Sequence, residues 1–242
     1  DADLRDPKLN ITPSNILTIS ATAITDNDKN NHRTYLWHSD ENDLEWSKAK
    51  PISNKGYWLW KFTWNYDMEK AFGFSYKTGN NYLNLHTSFS SNNEFQFERY
   101  KIFDKGSPNE SDIVFLDNNL AVALVRRQQK NNSVIGYSKK PYTDWTWSEI
   151  NYKISSPNLI RLPDNRIVAG VRFLEPYRYT AICLLDPVNK KLEEVLRLPS
   201  GNDNGYPGLV FHDNQLVVSY YSRHEGGRTS IYIANIDINF KK

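Results

Sequence analysis

Carboxylates and arginines stand at the ends of apolar segments in this chain, and together these groups can bind and cleave a sugar. The clearest case runs from Ser107 to Gln128: a polar start, an apolar segment, an Asp-Asn-Asn turn and a second apolar segment. This order predicts a β-hairpin, whose two open ends lie at the same edge. Glu110 at the start and Arg126 or Arg127 at the end are therefore expected to share one rim.

The same hairpin recurs four more times along the chain. The central turns fall at Ser14-Asn15, Asp67, Asp117-Asn118, Asp164-Asn165 and Asp213-Asn214, a period of roughly 47 to 52 residues, which is typical of a propeller blade. A third strand follows each hairpin, and a fourth follows in the first four units. We predict an all-β fold: a β-propeller of four-stranded antiparallel blades, five of them in this chain. Residues 1–242 form one predicted domain, with repeats at about 5–55, 56–106, 107–155, 156–204 and 205–242.

The fifth unit has no fourth strand after TSIYIANIDI, and residues 1–5 are too few and too polar to supply one. A propeller needs every blade completed, since an open blade leaves an unpaired edge. We therefore expect an upstream segment, up to a sixth blade, or a strand from a partner to complete it.

The starts of the first strands and the ends of the second strands are expected to line one central pocket. The predicted catalytic carboxylates are Asp6, Glu110 and Glu225. The predicted sugar-binding residues are Arg5, Trp58, Trp60, Asn109, Arg126, Arg127, Arg172, Tyr206, Tyr221, Arg223 and His224. Arginine offers a planar fork for a carboxylate or hydroxyl pair, and carboxylates serve as acid, base or nucleophile.

Each group also has a structural interpretation. Arg5 and Asp6 fit an ordinary ion pair, and Glu110 fits a hydrogen-bonding strut between blades. Arg126 and Arg127 point to opposite faces of their strand, so one faces the pocket and the other is expected to bridge blades. His224 and Glu225, in the Gly-rich segment RHEGGR, fit a capping turn.

The composition limits the kinds of partner that we expect the protein to bind. With 30 basic and 28 acidic residues the net charge is +2, which gives no footprint for nucleic acid. No apolar run approaches the length of a membrane span. The single cysteine, Cys183, excludes an internal disulfide and is expected in the core. The five histidines lack metal-site spacing, so we expect no metal and no cofactor. Composition leaves the compartment open, with secretion or the periplasm favoured over the cytoplasm.

Several segments are similar to the bacterial sialidase-like propellers of the Asp-box type, which are grouped with glycosyl hydrolases by fold. They are RDPKL, WLWKFTW, PNES, LVRR, KKPYTDWTW, PNLIRLPDNRIVAGVR and YPGLVFHDNQLVVSYYSRHEGGRTSIYIANI. The turns Ser39–Trp46, Ser90–Phe97 and Ser138–Trp145 resemble degenerate Asp-boxes, in which Glu41, Asn92 and Lys140 replace the Asp and the Gly is absent.

The resemblance implies six blades, five of them in this chain. It also implies that Arg5, Arg126 and Arg172 correspond to the arginine triad that clamps a carboxylate in sialidases. The Phe-Arg-Ile-Pro start of that family is absent here, and the sequence does not locate its Tyr-Glu nucleophile pair. Arg-Asp-Pro at residues 5–7 resembles the motif of invertase-type propellers, in which the Asp supports the sugar.

The resulting hypothesis is a sialidase-like exo-glycoside hydrolase acting on a glycan in a central polar pocket. Two alternatives stay open: a non-catalytic carbohydrate-binding propeller and a protein-interaction scaffold. Paired carboxyl groups about 5 to 5.5 Å apart would suit retention, and about 6.5 to 9.5 Å inversion. From the sequence, Glu110→Gln is expected to abolish turnover and spare the fold.

Overall fold

The computed structural model describes residues 2–25, 31–40, 42, 45–79, 81–89, 96–128 and 131–239. These residues form nineteen β-strands in five antiparallel sheets. The predicted all-β propeller of five blades is confirmed. None of the described residues belongs to a helix, so none forms an apolar helix able to cross a bilayer.

The strands of each sheet follow one another in chain order. Blade 1 contains β1 (Asp3–Ile11), β2 (Leu17–Ile24), β3 (His32–His38) and β4 (Lys50–Pro51). Blade 2 contains β5 (Trp58–Trp64), β6 (Lys70–Tyr76), β7 (Leu83–Phe89) and β8 (Gln96–Phe103). Blade 3 contains β9 (Pro108–Phe115), β10 (Leu120–Arg127), β11 (Val134–Lys139) and β12 (Thr146–Glu149). Blade 4 contains β13 (Ile154–Arg161), β14 (Ile167–Phe173), β15 (Tyr179–Asp186) and β16 (Lys191–Arg197). Blade 5 contains β17 (Asn204–His212), β18 (Gln215–Ser222) and β19 (Ser230–Asp237), three strands within the described residues.

The chain divides into two compact units, residues 1–109 and 110–242. The boundary falls inside β9, just before Glu110. The organisation as a single domain with the repeat boundaries given above stays a prediction.

Apolar strand residues build the core of the second unit. Val122 and Leu124 on β10 are fully buried in one cluster with Ile135 on β11 and Val171 on β14. β-branched and leucine side chains suit this position because they fill the space between stacked sheets. Burial of each such side chain contributes about 1.5 to 3 kcal/mol. Cys183 lies in the same cluster as a buried free thiol.

A bulge interrupts the first strand of blades 1, 2, 4 and 5. The pairing register shifts between Arg5 and Lys8, Leu59 and Phe62, Ser155 and Asn158, and Gly205 and Gly208. In blades 1, 4 and 5 the shift encloses a residue with positive φ followed by proline: Asp6 (52°), Ser156 (54°) and Tyr206 (51°). Ser107 (52°) precedes Pro108 in the same way. Such a φ is uncommon for a residue with a side chain, and it redirects that side chain out of the regular alternation.

The structure describes only part of the Asp-box-like turns. In the turn from Ser138 to Trp145, Ser138 Oγ donates to the Asp144 carbonyl at 2.6 Å and Trp145 Nε1 donates to the Tyr142 carbonyl at 3.0 Å. In the first turn, Ser39 and Trp46 form an isolated antiparallel bridge. Residues 90–95 of the second turn lie outside the described residues.

Candidate functional site

Glu110 is a buried carboxylate on β9 that receives donors from three blades. Arg126, at the end of β10 in its own hairpin, donates Nη1 to Glu110 Oε1 at 2.7 Å. The backbone N–H of Ser156 in blade 4 donates to Oε2 at 2.7 Å. The hydroxyl of Tyr206 in blade 5 donates to Oε1 at 3.0 Å. The Glu110 side chain is only 5% exposed, so water hardly competes for these bonds.

The bulges of blades 4 and 5 produce this convergence. Ser156 has a positive φ, and its backbone N–H points at Glu110 instead of bonding to the neighbouring strand. Tyr206 also has a positive φ, and its side chain extends from β17 to Glu110 on β9. A bulky residue in this conformation is strained by about 1 to 3 kcal/mol, a cost typical of functional positions.

Arg172, at the end of β14, lies beside the ring of Tyr206. Its Nε donates to Ser155 Oγ at 2.8 Å, and its Nη1 donates to the Asn204 carbonyl at 2.7 Å. The guanidinium carbon lies 5.5 Å from the centre of the Tyr206 ring. Gly205 makes room for it, because a Cβ there would lie 3.0 Å from Arg172 Cδ. Within the described part of the chain, Arg172 Nη2 has no hydrogen-bond partner.

Tyr221 and Asp203 extend the group toward solvent. The rings of Tyr206 and Tyr221 stack with centroids 5.7 Å apart, and the Tyr221 hydroxyl donates to Asp203 Oδ1 at 3.0 Å. Burial is the main cause that raises the pKa of Tyr221; Arg172 lowers it, and the bond to Asp203 raises it. Tyr221 therefore remains protonated at neutral pH as a donor. We call Glu110, Arg126, Arg172, Tyr206 and Tyr221 the Tyr206 cluster.

Two buried atoms beside Glu110 lack partners among the described residues. They are Arg126 Nε and Ser156 Oγ. Buried polar atoms are normally satisfied, so these two mark positions where water or a ligand atom would complete the hydrogen bonding. The Arg126 side chain is 25% exposed and so keeps some access to solvent.

The cluster contains a phenol bonded to a buried carboxylate, next to two arginines. A carboxylate in contact with a hydroxyl can accept its proton and thereby activate the oxygen as a nucleophile. Arginines nearby can hold an anionic or hydroxyl-rich substrate. The arrangement is therefore suited to attack by Tyr206 on an electrophilic carbon of an anionic ligand.

The candidates of the first unit have the following contacts. Arg5 pairs with Asp3 at 2.6 Å, and both side chains are exposed; Asp6 occupies the bulge next to it. Trp58 stacks on Tyr76 with centroids 6.1 Å apart and an interplanar angle of 8°. Trp60 is buried, with Lys8 Nζ 4.7 Å from its ring centre. The convergence of these residues with the Tyr206 cluster on one pocket stays a prediction.

The other candidates have contacts of their own. Asn109 is buried on β9. Arg127 donates to the Asn132 carbonyl and pairs with Glu149 of β12, both within blade 3. The contacts between blades are made by Glu110 with Ser156 and Tyr206, as in its interpretation as a strut.

Arg223, His224 and Glu225 follow β18 in a turn. Arg223 and Glu225 are exposed, and Glu225 Oε2 accepts a hydrogen bond from Tyr232 at 3.0 Å. His224 Nδ1 lies 3.0 Å from Ser222 Oγ. None of these contacts involves the Tyr206 cluster, and the catalytic role of Glu225 stays a prediction.

Ser155, Ser156, Asp203 and Asn204 are parts of the site that sequence reasoning missed. The available signal was proline: Pro7, Pro108, Pro157 and Pro207 each follow a residue with positive φ. Aligning the repeats on these prolines would have selected Ser156 and Tyr206 together. Over the described ranges, no three His, Cys, Asp or Glu side chains are grouped to hold a metal ion.

Neither a family model nor a curated protein matches the chain, but solved structures do. A protein of unknown function from Dyadobacter fermentans is similar at 18% identity with a TM-score of 0.81, over 98% of this chain and 77% of that one. The NanB sialidase of Streptococcus pneumoniae is similar at 10% identity and a TM-score of 0.68, over 98% of this chain and 56% of that one. A GH43 β-xylosidase/α-arabinofuranosidase from a compost microbial metagenome is similar at 11% identity and a TM-score of 0.62, over 98% of this chain and 92% of that one. The chain thus shares its propeller fold with glycosidases and spans just over half the length of the sialidase.

Proposed function

We propose that the protein is an exo-acting glycoside hydrolase of the sialidase-like kind, with its reactive centre at Tyr206. The observation that carries the proposal is the 3.0 Å hydrogen bond from the Tyr206 hydroxyl to Glu110 Oε1. It pairs a phenol with a buried base, on a residue held at positive φ. The propeller fold, which sialidases and GH43 enzymes also have, supports the proposal.

Glu110 and Tyr206 differ in burial, so we assign them different roles. Glu110 is too enclosed to reach a sugar itself, whereas Tyr206 is only partly buried. Tyr206 Oη would attack the anomeric carbon while its proton passes to Glu110, and the bond to the leaving group would break. Water would then hydrolyse the tyrosyl glycoside and the proton would return to Tyr206. Sialidases differ from most glycosidases in using such a tyrosine nucleophile.

The neutral phenol of Tyr206 and the positive charge of Arg172 favour a substrate with a carboxylate beside the anomeric carbon. A carboxylate nucleophile would repel that group, but a neutral phenol does not. Arg172 Nη2, on a side chain that is 11% exposed, would bind the substrate carboxylate with the strength of a charge-assisted hydrogen bond. Arg126 would hold Glu110 and contribute positive potential.

Protonation of the leaving group needs an exposed acid. Asp203, which is 65% exposed and accepts a hydrogen bond from Tyr221, would exchange protons with the leaving group and the incoming water.

Tyr206→Phe tests the proposal. The variant keeps the ring stacked on Tyr221 and removes only the nucleophilic oxygen. With a fluorogenic α-sialoside as substrate, we expect kcat/KM to fall at least ~10³-fold. Tyr232→Phe is the matched control, because it also removes a 3.0 Å Tyr–Glu hydrogen bond, to Glu225, and should leave kcat/KM unchanged.

Unchanged turnover by Tyr206→Phe would refute the assignment of the nucleophile. A wild-type protein that binds the sialoside in calorimetry but never cleaves it would favour the carbohydrate-binding alternative. Parallel assays with neutral 4-methylumbelliferyl glycosides test whether the enzyme requires a negatively charged substrate. If it cleaves a neutral glycoside but not the sialoside, the role of Arg172 in binding a substrate carboxylate is refuted.

A further inference from the structure

Thr180 is a buried threonine at the start of β15 that binds the loop leading into blade 5. Its carbonyl accepts the N–H of Leu198 at 3.0 Å, and its N–H donates to Ser200 Oγ at 2.9 Å. Its side-chain Oγ1 donates to Asn204 Oδ1 at 2.9 Å. One residue of blade 4 therefore holds this loop at both ends and in the middle.

The side chain of Asn204 is fixed by three hydrogen bonds. Oδ1 accepts from Thr180, and Nδ2 donates to the carbonyls of Arg178 and Asn202, both at 3.3 Å. A rotated amide would place Oδ1 against two carbonyl oxygens, which disfavours that orientation. Asn204 and Thr180 are both 0% exposed, so the loss of one bond would leave a buried polar atom without a partner. The network thus gives Asn204 a single orientation.

The backbone of Asn204 in turn holds Arg172. The Asn204 carbonyl accepts a hydrogen bond from Arg172 Nη1 at 2.7 Å. Arg172 and Thr180 are paired across β14 and β15, so their side chains lie on the same face of the sheet. The three residues therefore form a closed chain of contacts, in which the threonine fixes the carbonyl that directs the arginine.

Asp203 is the competing partner for Arg172. Its Oδ1 lies 3.9 Å from Arg172 Nη1, too far for a hydrogen bond, and accepts one from Tyr221 at 3.0 Å. A close pair with Asp203 would occupy the guanidinium and reduce the positive charge that a ligand carboxylate meets. Because Nη1 is directed to the Asn204 carbonyl instead, Arg172 keeps its charge for a ligand.

Blade 1 has the same loop contacts without the arginine. The carbonyl of Thr34 accepts the N–H of Ile52, and the N–H of Thr34 donates to Ser53 Oγ, both at 2.9 Å. The cross-strand partner of Thr34 is Thr22, at the place where blade 4 has Arg172. Blade 1 therefore provides a reference in which such a threonine holds a loop but positions no charge.

We propose that Thr180 is a positioning residue for Arg172, and that it thereby sets the preference of the site for a ligand with a carboxylate. It acts through Asn204 and is too buried to touch the ligand itself. The inference rests on the proposed function only in taking Arg172 as the group that binds the carboxylate; it does not require the reaction at Tyr206. Without the Thr180 hydroxyl, the Asn204 amide would be released and Arg172 would move toward Asp203.

Ligand binding, measured without turnover, tests this role. The ligands are the methyl α-glycoside of N-acetylneuraminic acid and its methyl ester, which has the same sugar without the negative charge. NMR titration gives the Kd of each. Wild type should bind the acid more tightly than the ester. Thr180→Val, which removes the hydroxyl and nearly keeps the shape, should raise the Kd of the acid about tenfold and leave that of the ester unchanged.

Three variants separate positioning from stability. Thr34→Val should lower the melting temperature at least as much as Thr180→Val, because Thr34 Oγ1 also accepts the N–H of Leu59 at 3.0 Å, but it should leave both Kd values unchanged. Thr180→Ser keeps the hydroxyl and should retain tight binding of the acid. If Thr180→Val does not fold, Ser200→Ala loosens the same loop by removing the acceptor of the Thr180 N–H, and the acid should again bind more weakly.

Three results would overturn the proposal. A Kd of the acid that rises in Arg172→Gln but not in Thr180→Val would refute the positioning role and leave the proposed function intact. Equal weakening of acid and ester binding in Thr180→Val would show that the threonine only stabilises the fold. Wild-type binding of the acid that is no tighter than that of the ester would refute both this inference and the substrate charge proposed above.

Discussion

Replacing Glu110 with glutamine is expected to destabilise the fold as well as the reaction. From the sequence alone, this substitution is expected to spare the fold. The structure adds three donors that converge on the carboxylate: Arg126 Nη1, the Ser156 N–H and the Tyr206 hydroxyl. A carboxylate accepts all three, but an amide has only one acceptor oxygen.

The magnitude follows from the hydrogen bonds. If the glutamine oxygen accepts the hydrogen bonds from Arg126 and Tyr206, the glutamine NH₂ group faces the N–H of Ser156. If the amide is flipped, the NH₂ group faces Arg126. Either way a buried donor loses its acceptor, at about 1 to 3 kcal/mol. Loss of the charge on residue 110 weakens the ion pair with Arg126 by about 1 to 2 kcal/mol, a value reduced because that arginine is one-quarter exposed. We expect a total loss of about 3 kcal/mol in the free energy of unfolding.

Urea denaturation at pH 7 followed by tryptophan fluorescence measures this loss. Glu225→Gln is the matched control, since its carboxylate is exposed and accepts one hydrogen bond from Tyr232, so about 0.5 kcal/mol or less is expected. A loss below about 1 kcal/mol for Glu110→Gln, or an equal loss for both variants, would refute the description of Glu110 as a buried three-donor acceptor.

Two further predictions concern the pH dependence of stability and the space around Arg172. Burial lowers the pKa of His86 to about 4 from 6.5, so its contribution to stability is present above pH 6.5 and is lost as the pH falls toward 4. Between pH 7 and 5 wild type should lose about 2 kcal/mol more than His86→Gln in urea unfolding; parallel pH profiles would contradict this. Gly205→Ala should lower kcat/KM for the α-sialoside about 10²-fold, because its Cβ would displace Arg172. Gly79→Ala, also at positive φ but with nothing within 4 Å of its Cβ, should keep kcat/KM, and equal losses in both variants would refute the steric argument.

The fold was predictable because it is repeated. Each hairpin has the same order of apolar segment, Asp or Asn turn and apolar segment, and five copies at one period leave few alternatives to a propeller. The sequence also predicts no fourth strand after TSIYIANIDI, and β19 is the last strand of blade 5 within the described residues. Local strand patterns determine these features, so they can be obtained without tertiary information.

The candidate site was predictable only in part. Hairpin geometry brings Glu110 to one end of its blade together with two arginines, and the structure pairs it with Arg126. The choice between Arg126 and Arg127 depends on strand register, which sequence alone does not fix. Tyr206 lies 96 residues away from Glu110 in sequence, and its direction depends on a bulge. Such a long-range contact leaves no local pattern beyond the proline that follows.

The proline-marked bulge has a consequence for how a repeated chain diversifies. Because the register shifts there, the residue at positive φ takes no part in regular pairing, and its side chain can change without loss of a ladder hydrogen bond. Asp, Ser and Tyr occupy this position in blades 1, 4 and 5. After a blade is duplicated, a single codon change at this position introduces a new functional group while the sheet around it is inherited intact.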